Sequence, residues 1–309
     1  MKINFKQFKL ICDKLNFRLI KPSFIGAGSH NECYKINTDK GDYVIKVASN
    51  SEQLKKEFKM LGSLDKDIAP KVYFFDDSKN IIPFTYLVEE FVQGIHPPKK
   101  ASSKFIVAMA NWYKKLHLIK SDKIPKSEMK IIFSMSYWCN LKYEKFNLYK
   151  KELNNLLANR IENIFIKSLN VCKSNDSLFV DRKEFTLNQN DPSNDNIFFQ
   201  GSKIRLIDWE FAGYGLYERD ILTFFKQYQL NSIQRSLFLK IYKYPKTEIA
   251  KKRLNVLKII LSLSDISYLV QRIDSLKDKK MNMKQKLSKR KSLLTRLNKI
   301  IKIMEKERI

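Results

Sequence analysis

The chain has 309 residues, 44% of them hydrophobic and 29% charged, with 8 Gly and 8 Pro, which excludes fibrous, low-complexity and mostly disordered proteins. The formal charge is +27, but Lys supplies 48 and Arg only 11 of the 59 basic residues. Because Arg is the side chain best shaped to hold phosphate, this balance favours a compositional bias over specific nucleic-acid binding. No charge-free stretch exceeds eleven residues, so we expect a cytoplasmic protein without a transmembrane segment.

The N-terminal third of the chain has the pattern of a small sheet with one inserted helix. A short amphipathic helix over 4–16 comes first, and a second amphipathic helix over 51–64 has Ser51 as its expected N-cap. Strand-like segments cover 17–25, 31–37, 42–48, 71–75 and 85–92. The sequence therefore predicts a five-stranded antiparallel sheet.

After residue 94 the pattern becomes mainly helical. Helical periodicity covers 104–119, 134–157, 161–172, 217–228, 232–242 and 248–272, and a β segment over 185–208 interrupts it. A basic helix over 284–306 is expected to pack its apolar stripe on the protein rather than to bind a membrane or nucleic acid. We place the boundary accordingly: an N-terminal lobe of residues 1–94 and a helical C-terminal lobe of residues 95–309.

A glycine-containing segment joins the first two predicted strands. Gly26 and Gly28, followed by Ser29, lie between antiparallel strands and not before a helix, which excludes a P-loop or a dinucleotide-binding turn. The segment is a candidate lid whose backbone can approach phosphates. An ordinary β-turn is the alternative for this motif taken alone.

One lysine lies where a charge needs a partner. Lys46 interrupts the apolar run Val-Ile-Lys-Val-Ala, and Glu57 follows eleven residues later on the helix face that carries Leu54. A strand lysine that pairs with a helix glutamate and also touches nucleotide phosphates is the arrangement of kinases. A lysine on a solvated strand face is the alternative.

A loop and a predicted hairpin near residue 200 carry the strongest candidates. Asp191 and Asn196 are five residues apart before a short strand, and Asp208 ends the next apolar strand. Because a hairpin brings its outer ends together, we expect Asn196 and Asp208 to lie side by side. Their oxygens suit Mg²⁺, which also takes substrate phosphates. Asp191 is then available to accept a proton from an attacking hydroxyl.

Over about residues 17–225, these motifs together resemble the aminoglycoside phosphotransferase and choline kinase family, with bacterial choline kinases closest in motif. The resemblance implies an α+β, two-lobed protein-kinase-like fold that binds ATP and Mg²⁺. It implies Asp191 as catalytic base, Asn196 and Asp208 as Mg²⁺ ligands, Lys46 on the α- and β-phosphates, and Glu57 as the anchor of Lys46. It also implies that adenine meets the backbone of the segment formed by Glu89, Glu90 and Phe91.

The catalytic loop departs from the family at one position. The family has a histidine two residues before the catalytic aspartate, where this chain has Gln189. The histidine is mainly a structural hydrogen-bonding residue, and glutamine can donate and accept in its place. By resemblance, Asp220 braces this loop.

The motifs predict an ATP-dependent phosphotransferase that moves the γ-phosphate to a hydroxyl of a small, cationic molecule. Four carboxylates between residues 191 and 210 favour such an acceptor in an otherwise basic chain. Choline or a similar amino alcohol is the favoured acceptor, and an aminoglycoside is the second candidate. A sugar or a nucleoside is a further possible acceptor. The alternatives are a catalytically weak or inactive pseudokinase scaffold and a basic nucleic-acid-binding protein. Candidate acceptor residues are the carboxylate Glu210 and the aromatic side chains Trp209, Tyr214, Tyr137 and Trp138, which could hold an ammonium group or, for the last two, pack a helix.

Overall fold

The computed structural model describes residues 3–28, 31–120, 134–179, 185–278 and 280–306. They form two compact units, one of Met1–Ile119 with Thr186–Lys243 and the other of Lys120–Phe185 with Tyr244–Ile309. The lobe boundary at residue 94 stays a prediction.

The described residues contain nine α-helices and nine strands. The helices are α1 (Phe5–Lys14), α2 (Ser51–Gly62), α3 (Ser103–Leu116), α4 (Met135–Tyr149), α5 (Asn155–Asn175), α6 (Glu218–Gln227), α7 (Ser232–Tyr242), α8 (Glu248–Asp274) and α9 (Met283–Lys306). The strands are β1 (Leu19–Ala27), β2 (Asn31–Thr38), β3 (Gly41–Ala48), β4 (Val72–Asp76), β5 (Thr85–Glu90), β6 (Phe185–Asn188), β7 (Ile197–Gln200), β8 (Lys203–Leu206) and β9 (Gly213–Leu216).

The first unit is built on the predicted five-stranded antiparallel sheet, in the order β1-β2-β3-β5-β4. Side chains alternate between its faces. One face packs on α1 through Ile11, Ile45 and Val88, and the other packs on α2 through Leu54 and Leu87. Lys46 pairs in register with Leu87, so the side chain of Lys46 also lies on the face that packs on α2.

Helix α2 begins at Ser51 as predicted, but its N-cap differs from the prediction by one residue. Asn50 and not Ser51 is the N-cap, since its side chain accepts hydrogen bonds from the backbone N–H groups of Glu52 and Gln53. Asparagine is as good a cap as serine, and the residue just outside the first turn takes this position.

The rest of the first unit holds two small sheets among helices α3, α6 and α7. Strands β7 and β8 form the predicted hairpin, with Ile197 opposite Leu206. Strand β6 pairs with β9, a strand that the sequence patterns did not predict. The loop between β6 and β7 and the loop after β8 contain the chemically important residues.

The second unit is helical. The single helix predicted over 134–157 is wrong: α4 ends at Tyr149, and α5 begins after Asn154, whose side chain caps it. On α9 the expected apolar stripe is buried at Leu297 and Ile301, whereas Leu287 is exposed.

Among the described residues one helix, α8, is long and apolar enough to cross a membrane, with a mean hydropathy of 1.3 over its most apolar window. Half of that window is buried inside the protein. Core helices of soluble proteins pass the same test, so the finding is weak support for a span.

Candidate active site

A central cleft of about 310 Å³ lies in the first unit, and it contains the predicted catalytic base, the two predicted metal ligands and the predicted phosphate-binding lysine. Its walls come from the sheet, from the loop between β6 and β7, and from the loop after β8. It is lined by Gly28, Asn31, Cys33, Lys46, Glu89, Asp191, Asn196, Ile207, Asp208, Glu210 and Phe211.

Lys46 has the acidic partners that its buried position requires. Its Nζ donates to Glu57 Oε1 at 2.9 Å, to Glu57 Oε2 at 2.8 Å and to Asp208 Oδ1 at 2.6 Å. Burial acts to lower the pKa of Lys46, but Glu57, Asp208 and Glu89 outweigh it and the pKa is raised. Glu57 Oε1 also accepts the backbone N–H of Trp209 at 2.9 Å, so this carboxylate connects α2 to the loop after β8.

The loop before Asp191 is held by buried polar side chains. Asp220 accepts the backbone N–H groups of Gln189 and Asn190 at 2.9 and 2.8 Å, as the brace expected from the resemblance would. Gln189, fully buried, accepts the N–H of Asp191 at 2.8 Å and donates to the carbonyl of Asp208 at 3.1 Å. Gln189 therefore donates and accepts at the same time, and it connects the two aspartates.

The backbone is strained at two points in this region. Asn190 and Asp208 have φ angles of 68° and 60°, in the left-handed region that costs energy for residues with a Cβ. Both are fixed by the bonds of Gln189 and Asp220 on one side and by Lys46 on the other. The surrounding structure thus over-determines the positions of the two strained residues.

Asp191 and Asn196 are in direct contact. Asn196 Nδ2 donates to Asp191 Oδ2 at 2.9 Å and to its carbonyl at 3.2 Å. Burial, and then the negative charge of Asp208, raise the pKa of Asp191, against the hydrogen bonds from Asn196 and Ser193. A raised pKa makes this carboxylate a better proton acceptor than an ordinary surface aspartate.

The hairpin brings Asn196 and Asp208 together as expected. The N–H of Ile207 donates to the carbonyl of Asn196 at 2.9 Å, so the residue after Ile207 lies at the same end of the hairpin as Asn196. The amide nitrogen of Asn196 is used by Asp191, which leaves its oxygen as the atom that suits a cation. Among the described residues no three His, Cys, Asp or Glu side chains form a metal-binding group.

The glycine segment closes on itself at the entrance to the cleft. Gly28 N donates to the carbonyl of Asn31 at 2.8 Å, and Ser29 lies outside the described residues. A Cβ at Gly26 would meet no described atom within 4 Å, and at Gly28 only the Asn31 oxygen at 3.9 Å. Packing among the described residues therefore leaves open space beside these two glycines.

The segment at the end of β5 has other structural partners. The carboxylate of Glu90 accepts hydrogen bonds from both terminal nitrogens of Arg205, at 2.5 and 2.7 Å, which connects the sheet to the β7–β8 hairpin. The N–H of Phe91 donates to the carbonyl of Asp42 at 3.3 Å, and Lys35 Nζ lies 4.0 Å from the centre of its ring. Of the three residues predicted to meet adenine, only Glu89 lines the cleft.

The structure brings only one of the predicted acceptor residues to the cleft, Glu210. Trp209 is 1% exposed, with its indole N–H bonded to the carbonyl of Leu206, so it is a core residue and cannot form an open aromatic wall. Tyr214 lines a different cavity, on α2. Tyr137 and Trp138 belong to the second unit, where their rings contact each other edge to face.

Four residues that line the cleft were not among the predicted site residues: Asn31, Cys33, Ile207 and Phe211. Cys33 pairs in register with Lys46, so its side chain is on the same face of the sheet and strand alternation alone could have found it. Asn31 Nδ2 donates to Glu210 Oε2 at 3.1 Å across the cleft. Phe211 lines the cleft with a half-exposed ring, and no sequence signal distinguished it.

The fold and this cleft define a kinase-like phosphotransferase, and the sequence agrees. The model of the family APH, described as the phosphotransferase enzyme family, matches residues 21–233, more than half of the chain, so the protein belongs to this family. The family resemblance and the α+β kinase-like fold expected from the sequence are thereby confirmed. The search of curated proteins gave no match.

Solved structures show the same fold at low sequence identity. A spectinomycin phosphotransferase, solved with ADP and spectinomycin, has a TM-score of 0.62 at 14% identity, with 98% of each chain covered. A choline kinase from Cryptosporidium parvum has a TM-score of 0.66 at 16% identity, and the match covers 98% of this chain and 96% of that chain. A choline kinase from Streptococcus pneumoniae has a TM-score of 0.60 at 15% identity, and the match covers 95% of this chain and 99% of that chain.

Proposed function

We propose that the protein is an ATP-dependent phosphotransferase that phosphorylates a hydroxyl group of a small, cationic molecule. The observation that carries the proposal is the shared cleft of Lys46, Asp191, Asn196 and Asp208, with Lys46 fixed at 2.6 Å from Asp208. Phosphoryl transfer depends mainly on positioning and on charge stabilisation, and these four side chains offer both.

The residues of the cleft have distinct roles in this reaction. Lys46, anchored by Glu57, binds the α- and β-phosphates beneath the backbone of Gly26 and Gly28. Asp191 orients the acceptor hydroxyl and takes its proton as the oxygen attacks the γ-phosphorus. The bond between that phosphorus and the β,γ-bridging oxygen breaks, and ADP leaves.

The donor set near the hairpin fits Mg²⁺. Asp208 offers a carboxylate and Asn196 an amide oxygen, and a hard cation of this kind is completed by phosphate oxygens and water. The ion would neutralise charge on the phosphates when bound. Gln189 has a positioning role, because it holds the backbone of Asp191 and Asp208 without reaching the cleft.

The charge of the cleft supports a cationic acceptor. Asp191, Asp208 and Glu210 all line it, whereas the chain as a whole carries +27. An ammonium group beside Asp191 or Glu210 would be attracted to them, and the exposed ring of Phe211 offers a cation–π surface. Choline, ethanolamine and aminoglycosides are the classes we propose to test first. The cytoplasmic location and the absence of a specific nucleic-acid partner stay predictions.

The test is ADP release with Mg-ATP across choline, ethanolamine, aminoglycosides, nucleosides and sugars. We expect turnover with a cationic acceptor, and Asp191→Asn should reduce it about 1,000-fold, the range for loss of a general base. Asp195→Asn is the matched control, because Asp195 is an exposed carboxylate of the same loop and does not line the cleft.

Two results would contradict the proposal. If no acceptor causes ADP release and Mg-ATP does not change the melting temperature, the pseudokinase alternative is favoured. Salt-sensitive binding to DNA or RNA without any nucleotide shift would favour the nucleic-acid-binding alternative.

A further inference from the structure

One buried carboxyl group in the central cleft has an oxygen that no described residue contacts by a hydrogen bond. Glu89 is 6% exposed, and its Oε2 has no hydrogen-bond partner among the described residues. Buried polar atoms are nearly always hydrogen-bonded, and an exception calls for an explanation such as a missing ligand. Glu89 also lines the cleft, so a ligand there can reach it.

The register of the sheet places Glu89 beside the proposed phosphate-binding lysine. Glu89 pairs with Val44 and Leu87 pairs with Lys46, so all four side chains share one face. Along β5, Glu89 is two residues after Leu87, the residue that pairs with Lys46. A nucleotide whose phosphates contact Lys46 can therefore extend its base along this face to Glu89.

The charges around Glu89 favour its neutral form. The titratable groups that interact electrostatically with it are Cys33 on β2, Lys46 on β3, Glu57 on α2, Glu90 next to it on β5, and Asp208 after β8. Burial first, and then the carboxylate of Glu57, raise the pKa of Glu89 to about 8, and Lys46 opposes them. At neutral pH the side chain is therefore mainly a protonated carboxylic acid, which has one donor and one acceptor.

We propose that Glu89 recognises the nucleobase of the phosphoryl donor, donating a hydrogen bond to a ring nitrogen of adenine and accepting one from its 6-amino group. The inference rests on the proposed function, since it assumes that a nucleotide binds in this cleft. Adenine presents an adjacent donor and acceptor on each edge that includes the 6-amino group, and a neutral carboxyl group complements that pair. The side chain of Glu89, rather than backbone alone, then selects adenine.

The test compares binding of ADP with binding of purine riboside diphosphate, which lacks the 6-amino group, by calorimetry with Mg²⁺ present. The wild-type protein should bind ADP about tenfold more tightly, the effect of one buried hydrogen bond left unmade. Glu89→Gln should keep this preference, because an amide also offers one donor and one acceptor side by side. Glu89→Leu should bind the two nucleotides within about twofold of each other, with no loss of melting temperature, because an unpaired buried carboxyl is replaced by an apolar group.

Three other results would contradict the base-recognition proposal. If the wild-type protein binds both nucleotides equally well, or if Glu89→Leu keeps the full preference, the base-recognition role is wrong while the phosphotransferase proposal stands. If the wild-type protein binds neither nucleotide, both proposals fail.

Discussion

Replacement of Gln189 by leucine tests how the proposed catalytic loop is held. The side chain is fully buried and makes two hydrogen bonds, one from the N–H of Asp191 at 2.8 Å and one to the carbonyl of Asp208 at 3.1 Å. Leucine keeps the volume and removes both bonds. A buried polar group left unpaired costs about 1–3 kcal/mol. Asp191 and Asp208 line the cleft, where water can reach them, so we expect the low end for each, a loss of about 2–3 kcal/mol in total.

Activity should fall more steeply than stability. A displacement of about 1 Å in a catalytic group can reduce the rate about 100-fold, and Gln189→Leu releases the backbone of both aspartates. Gln189→His is the matched variant, because an imidazole again offers one donor and one acceptor. We would measure urea unfolding and ADP release for both variants. A leucine variant within about 0.5 kcal/mol of wild type that also keeps full turnover would refute the reasoning.

Three further changes test the rest of the site. Lys46→Met should lower the free energy of unfolding by about 3–5 kcal/mol, because it leaves Glu57 buried without its cation; urea unfolding checks this, and Lys46→Met with Glu57→Gln should recover part of the loss. Because the folded pKa of Asp191 is raised, its ionisation opposes folding, and this cost appears as the pH rises. Asp191→Asn should therefore be more stable than wild type at pH 7, and the difference should vanish below about pH 4, as urea unfolding at both pH values would show. Glu90→Gln should cost about 1 kcal/mol, because its bidentate contact with Arg205 is partly exposed and screened by water; a cost above about 3 kcal/mol would contradict this.

Local patterns were sufficient to predict the charged part of the site. Lys46 could be recognised because a lysine inside an apolar strand must find a counter-charge, and Glu57 was the acidic residue on the facing side of α2. Asn196 and Asp208 could be placed together because they lie at the outer ends of a short hairpin. In both cases a chemical requirement and a short-range geometric rule pointed to the same residues.

The aromatic part of the predicted acceptor site needed tertiary information. Trp209 follows Asp208 directly, but the left-handed backbone at Asp208, with φ of 60°, turns the chain and the indole is buried. No periodicity in the sequence signals one residue with positive φ when that residue is not glycine. The break between α4 and α5 was missed for a similar reason: apolar periodicity continues through it, and only the cap formed by Asn154 marks it.

The substitution of the family histidine by Gln189 can be interpreted from the same contacts. Asp220 fixes two successive N–H groups of the loop and contacts His117 Nε2 at 3.3 Å, so the anchor of the loop lies outside position 189. Buried networks of this kind hold a strained backbone when every member is satisfied. Gln189 meets that condition with one donated and one accepted bond. With glutamine at position 189, the positions of Asp191 and Asp208 are therefore still held by hydrogen bonds. This supports the proposed phosphotransferase over the pseudokinase alternative.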